Sequence, residues 1–475
     1  MEWVHRYIRE FGGDPENVTL FGSGSGGADI ICHLLSRSNC SDSPRLFHRA
    51  IVQSPIFEPI LSDVGQAGWM LSRLMSSLQV GSSVDKFRIV PVEKLGAFPG
   101  NVRVVDDGHW FKEGWVEWFE GKREAEARVE KEKDGEGSRH HHHHHHQHLH
   151  VAGRNKSRSR SRNGRSKSRC PREQDLVSPP PTPTEDKGKG KEVEIFPQPL
   201  IIGDSCCDSL LWSVPISMWT SASVSKRLKA ICQSVIKTNS LLRAYDLGTS
   251  SQPGSSSYAT ADEAMEEHGE TIEKVLELVN DARVAWPTER IAENAKRERG
   301  GKGVWRYVFD QEGTHRGLPH YAADLGYLFD NVPLPEHMLH STMKEEDLFV
   351  DKFDVDEEDE AGNCSGPSDK KKYESVTIRT SIEDDEWATA PVDTFTYVKV
   401  RDSIQSKWIS FAHGEDPWGE DRVMVFGPEG EAGERSLKIF EGRRRLKVWG
   451  EVFEPLGRDV VMKVGVELSR GPSGH

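Results

Sequence analysis

Near its start the chain carries a stretch whose residue types and spacing suit nucleophilic chemistry: Asn17-Val18-Thr19-Leu20-Phe21-Gly22-Ser23-Gly24-Ser25-Gly26-Gly27-Ala28. The apolar run Val18 to Phe21 predicts a buried strand. Ala28, Ile31, Leu34 and Leu35 then fall on one face of a helix. A strand passing into a helix through a glycine-rich turn is the setting of a nucleophile elbow, where a serine on a strained turn stands clear to attack a carbonyl carbon. That chemistry also needs a histidine to take the serine proton and an acid to hold the imidazole. The usual spelling is G-x-S-x-G. With Gly22 and Gly26 as the outer glycines, the centre is Gly24; glycine adopts the strained turn readily but brings no oxygen. Sliding the motif by one gives Ser23-x-Ser25-x-Gly27, with Ser25 as the nucleophile. A one-residue slide turns every strand side chain to the other face unless a bulge or longer turn absorbs it. In the unshifted register Ser25 opens the helix, its N–H an oxyanion donor and its hydroxyl a helix cap. Both registers stay open at this level.

The elements around this turn are legible in part. Trp3, Val4, Tyr7, Ile8 and Phe11 share one face of a helix that Gly12-Gly13 ends. Ala50-Ile51-Val52 and Leu200-Ile201-Ile202-Gly203 read as buried strands, and Trp305 to Phe309 as another. A short helix is predicted over Met70 to Leu78, and one over Val275 to Trp286 that Pro287 stops. Ile404, Trp408 and Phe411 mark a helix closed by Gly414 and Pro417. Ser436 to Phe440 reads as a strand, followed by a basic amphipathic helix.

The order of these blocks resembles the type-B carboxylesterase/lipase family, the cholinesterase-like branch of the α/β-hydrolases. The resemblance rests on Trp3-Val4-His5-Arg6-Tyr7-Ile8, on Phe11-Gly12-Gly13-Asp14-Pro15-Glu16-Asn17-Val18-Thr19-Leu20-Phe21-Gly22, and on Leu46-Phe47-His48-Arg49-Ala50-Ile51-Val52-Gln53-Ser54. Ile202-Gly203-Asp204 through Asp208, Trp305-Arg306-Tyr307 and Asp324-Leu325-Gly326-Tyr327-Leu328-Phe329 extend it. It implies an α/β fold of the α/β-hydrolase type and a Ser–His–acid mechanism on carboxylic esters. In the family, a large part with the first strands and the glycine-rich oxyanion loop precedes the Trp3-Val4 helix. The expectation is therefore a partial fold lacking its N-terminal strands, with unpaired strand edges.

The family pattern carries over residue by residue. It places the triad acid five residues after the glycine that ends a strand, and Gly203 leads to Asp208. The ordinary reading of Asp208 is a loop aspartate capping the Leu210–Trp212 segment. The triad histidine is expected three residues before the acidic residue that opens Asp324-Leu325-Gly326-Tyr327, a position held by Tyr321. His320 lies one residue early; a one-residue loop insertion brings it into place, and otherwise it is a surface histidine. His315 fits less well. Ser25, Asp208 and His320 are thus the candidate triad. The shifted serine and histidine point to an impaired or inactive esterase, the alternative being a non-catalytic binding protein of the same fold. Removing a triad Ser or His costs on the order of 10⁶ in kcat.

The chain has 475 residues, 35% of them hydrophobic, and a net charge of −14. The low apolar fraction comes from long polar inserts, and the charge argues against a uniformly basic nucleic-acid binder. The expected layout is hydrolase core over 1–120, a disordered His-rich and Arg/Ser-rich insertion over 121–194, core again over 195–345, an acidic polar insertion over 346–392, and a helical part over 393–475. Seven cysteines without a CxxC pair suggest neither a disulfide framework nor a zinc knuckle. No cofactor is expected. The histidine run 140–146 is read as low-complexity sequence with incidental affinity for divalent metal. The Ser-Arg stretch 157–162 is read as a solvated loop without aromatics to stack bases, and the acidic run 351–360 as a solvated insert. Asn17-Val18-Thr19 and Asn39-Cys40-Ser41 fit the glycosylation sequon, the second being the more accessible. No run of about 18 or more apolar residues suggests a membrane span. No leader pattern opens the chain, so Met1 as the natural start would predict a cytoplasmic protein.

Overall fold

The computed structural model describes residues 1–39, 45–57, 61–81, 83–96, 104–121, 126, 197–248, 261–312, 318–332 and 394–472. Residues 1–128 and 196–475 belong to one compact unit. The histidine run, the Ser-Arg stretch, the acidic run, His315 and Cys40-Ser41 all lie outside the described residues.

The strands are β1 (Thr19–Ser23), β2 (Arg49–Gln53), β3 (Ser62–Asp63), β4 (Val105–Asp106), β5 (Leu200–Ser205), β6 (Val304–Phe309), β7 (Arg422–Phe426) and β8 (Ala432–Ser436). Among the longer helices are α1 (Glu2–Tyr7), α2 (Ser25–Leu34), α3 (Val64–Ser77), α4 (Ser221–Cys232), α5 (Val235–Ala244), α6 (Ala261–Asn280), α7 (Trp286–Glu298), α8 (Ala323–Leu328), α9 (Thr394–His413), α10 (Leu437–Arg443) and α11 (Arg458–Ser469). Six strands make one sheet in the order β1-β2-β5-β6-β7-β8, and β3 pairs with β4 separately. Pairing is parallel from β1 to β7; β8 closes the far edge antiparallel.

Central strands of a parallel sheet are covered on both faces, so they read as unbroken apolar runs. Every residue of β5 and β6 is buried. Alternate side chains divide between the faces. Ala50, Val52, Leu200, Ile202 and Val304 pack against Ile31 and Leu34 of α2, Ile291 and Ala295 of α7, and an aromatic group including Phe111, Trp115 and Phe119. Ile51, Ile201, Trp305, Tyr307 and Phe309 pack on the other face against Tyr397, Val400, Ile404, Trp408 and Phe411 of α9. A further core joins α4, α5, α6 and α11 around Trp286 and Phe453.

Four expectations change. β1 is not a buried strand: among the described residues it stands at one edge of the sheet, none of its residues is fully buried, and Phe21 is 45% exposed. Pro287 does not stop its helix. A π turn over Asp281–Ala285 links α6 directly to α7, and Pro287 sits in the first turn of α7; the wide turn accommodates the proline ring and its missing N–H. The strand expected over Ser436 to Phe440 ends at Ser436, where α10 begins. β7, four of its five residues buried, was not anticipated.

Candidate functional site

β1, β2 and β5 run parallel, so their C-terminal ends open on the same edge of the sheet. At the end of β1 the chain turns through Gly24, at φ 58° and ψ −115°, directly into α2. The Gly24 N–H donates to the Gln53 carbonyl at 3.0 Å, and its own carbonyl accepts from Ile56 at 3.1 Å. A Cβ on Gly22 would lie 2.8 Å from the Gly26 carbonyl carbon, so these two glycines are where strand and helix backbones cross. The unshifted register is therefore the one the backbone adopts: Gly22 and Gly26 flank, and Gly24 holds the strained centre. Ser25 is the first residue of α2 and is exposed.

Above Gly24 stands Tyr321. A Cβ built on Gly24 would collide with the Tyr321 hydroxyl, with Cζ at 2.8 Å and Cε2 at 2.9 Å. The ring thus fills the space a side chain at the elbow would need. The next few residues of the chain hold Tyr321 in place. Ala322 takes a left-handed conformation (φ 62°) and starts α8. Asp324, in the first turn of α8, accepts from Gln53 Nε2 at 2.7 Å and from Tyr307 Oη at 3.0 Å. Its carboxyl is raised above the ordinary range by burial, with those two donors pulling the other way. β2, β6 and α8 are pinned together under Tyr321 by this buried network.

Asp208 opens a 3₁₀ turn just past β5 and is 1% exposed. Its Oδ2 accepts from the Ser205 N–H at 3.0 Å. Its carboxyl is pushed well above the ordinary carboxylate range, first by burial and then by the neighbouring Asp204. His320 is half-buried and meets this loop through a parallel bridge with Cys207. Its Nδ1 donates to the Tyr321 carbonyl at 2.9 Å. In a working triad Nδ1–H donates to the acid; here a main-chain carbonyl takes that bond. The structure thus joins the backbone of His320 to that of Cys207, the residue before Asp208, and sets the Tyr321 ring over the elbow.

Sequence reasoning identified Gly24 and Tyr321 as departures from the pattern. It missed that the two meet, and it missed the Gln53–Asp324–Tyr307 network. The signal for the latter was Asp324 itself, an acid at the start of an apolar helix. Among the described residues, no group of three or more His, Cys, Asp or Glu side chains could hold a metal, and no helix is long and apolar enough to cross a membrane.

Comparison with known proteins bears on the N-terminal part above all. Residues 1–76 match the carboxylesterase family. The chain is 50% identical over 54 residues to an acetylcholinesterase of Myxine glutinosa, covering 11% of this chain and 15% of that protein. It is 34% identical over 95 residues to the carboxylesterase patB of Aspergillus clavatus, covering 20% of this chain and 17% of that protein. The matches thus span less than a fifth of these relatives' length. Among solved structures, the carboxylesterase EST55 of Geobacillus stearothermophilus aligns with a TM-score of 0.47 at 15% identity, over 94% of this chain and 67% of that one. The mostly parallel sheet with helices on both faces is an α/β fold, and its glycine elbow lies in the part, residues 1–76, that matches the carboxylesterase family.

Proposed function

We propose that this protein does not turn over carboxylic esters by a Ser–His–Asp mechanism, and that it uses the α/β-hydrolase fold as a non-catalytic binding body for a small-molecule ligand or a partner. The observation that carries this reading is the Tyr321 ring in the space a side chain at Gly24 would occupy. Three further features support it. Ser25 lies on the helix beyond the strained residue. His320 commits Nδ1 to a carbonyl. Asp208, held toward its protonated form, is poorly suited to stabilise an imidazolium.

Fluorophosphonate labelling tests it. The intact protein should take up no label at Ser23 or Ser25 when its peptides are mapped by mass spectrometry. A label on Ser25, abolished together with ester turnover by Ser25→Ala, would make Ser25, Asp208 and His320 a working triad and overturn the proposal.

A further inference from the structure

Cys206 and Cys207 follow β5 directly, and neither has a part in the chemistry at Gly24. Their sulfurs are 3.3 Å apart, within hydrogen-bonding reach of one another. Cys206 is exposed and Cys207 half-buried. Arg444 lies close enough to favour a thiolate, and is itself held by Asp204 (3.6 Å) and Asp310 (3.4 Å). The Cys207 thiol is drawn below its ordinary value, first by the hydrogen bond from Cys206 and also by Arg444, against its burial. Cys206 is pushed up by the same bond. One sulfur is thus the better nucleophile, and the other sits beside it as the resolving thiol. The buried Cys32 and Cys232 offer a contrast. Burial raises both thiols, Cys32 to about 12, and both belong to apolar cores.

We propose that Cys206 and Cys207 form a modification site, a vicinal dithiol that closes to a disulfide by exchange with a low-molecular-weight disulfide and reopens with the matching thiol. The Cys207 thiolate attacks one sulfur of the small disulfide; that S–S bond breaks, and the first small thiol leaves with its electron pair and takes up a proton. Cys206 gives up its proton and attacks the Cys207 sulfur of the mixed disulfide, expelling the second small thiol. Two protein thiols lose two electrons and two protons, and the small disulfide gains them. Closure moves the sulfurs from 3.3 Å to the bonding distance of about 2.05 Å. Adjacent Cα atoms across a trans peptide are about 3.8 Å apart, below the usual disulfide span of about 4.4–6.8 Å, so the closed ring is strained. Strained, accessible disulfides are the labile ones, which makes the step reversible. Closure must also shift the backbone between β5 and Asp208.

The test uses the full chain equilibrated at graded ratios of oxidised to reduced glutathione, quenched with an alkylating agent and mapped by mass spectrometry. The peptide holding both cysteines should become lighter by two hydrogens and refuse alkylation as the ratio rises, then recover on return to thiol. Cys32 and Cys232 should be alkylated after denaturation at every ratio. Cys206→Ser should stop at a glutathione adduct on Cys207. Alkylation of both cysteines at every ratio, a stable glutathione adduct on the unsubstituted chain, or a disulfide joining two chains would overturn the proposal. The measurement on the unsubstituted chain decides it even if the variant folds poorly.

Discussion

Gly24 and Tyr321 occupy one another's space: a Cβ on the first would lie 2.8 Å from Cζ of the second. Gly24→Ser should therefore destabilise the protein by about 2–4 kcal/mol, from overpacking and from a side chain at φ 58°. The same change made with Tyr321→His should cost at least about 1 kcal/mol less, because the ring no longer opposes it. A double-mutant cycle by urea denaturation measures this coupling; additive costs would show that the two positions do not contend.

Asp208→Asn separates the binding reading from the catalytic one. Loss of a triad acid would collapse ester turnover. Here any background hydrolysis should be unchanged. Stability at pH 7 should stay within about 1 kcal/mol of the parent or rise above it, since the amide oxygen still accepts from Ser205 and no buried charge remains. Paired turnover assays and denaturant melts are the measurement.

Asp281 gives the helical layer a pH dependence. It is buried, accepts from Tyr245 Oη at 2.6 Å, and has its carboxyl raised from 3.8 to about 6, chiefly by burial. Because the folded value exceeds the unfolded one, the native state keeps the extra proton between them. Its contribution is full below pH 3.8, declines as pH rises to about 6 and stays low beyond. The decline is on the order of 3 kcal/mol. Asp281→Asn, whose carbonyl still accepts from Tyr245, should flatten unfolding free energy against pH across that window.

Arg444 is 6% exposed between Asp204 and Asp310. Burial opposes its charge, and those carboxylates outweigh the opposition, so it is held charged more firmly than an ordinary arginine. Arg444→Met leaves Asp204 its ion pair with Arg306 and Asp310 its ion pair with Arg443, and should cost less than the loss of about 3–5 kcal/mol that a wholly stranded buried charge brings. Asp204→Asn added to that variant should recover part of the loss. Chemical denaturation of the two variants checks both statements.

Of the strands buried on both faces, β2, β5 and β6 were legible as continuous apolar runs, while β7, an equally apolar run from Val423 to Phe426, was passed over. β8 was hidden, since Ala432-Gly433-Glu434-Arg435-Ser436 has the polar composition an edge strand tolerates. β1 was found, but its apolar residues misled about burial, because the run does not reveal which strand stands at the edge. Counting from Gly22 and Gly26 left two elbow registers open, and counting back from Asp324 reached Tyr321, with His320 one residue early. That Tyr321 lies over Gly24 could not be read, because their meeting depends on how α8 is fastened to β2 and β6 through Gln53 and Tyr307.

The π turn at Asp281–Ala285 makes one rod serve two partners. Ahead of it, Ile272, Val275 and Val279 of α6 face the helical core; beyond it, Ile291 and Ala295 of α7 face the sheet. The extra residue sets the phase between these two stripes, an offset of about 100° in a regular α-helix. Deleting a single residue there would convert the turn to regular α-helix and rotate every later side chain of α7 away from the sheet. Length at this point is thus constrained more tightly than residue identity.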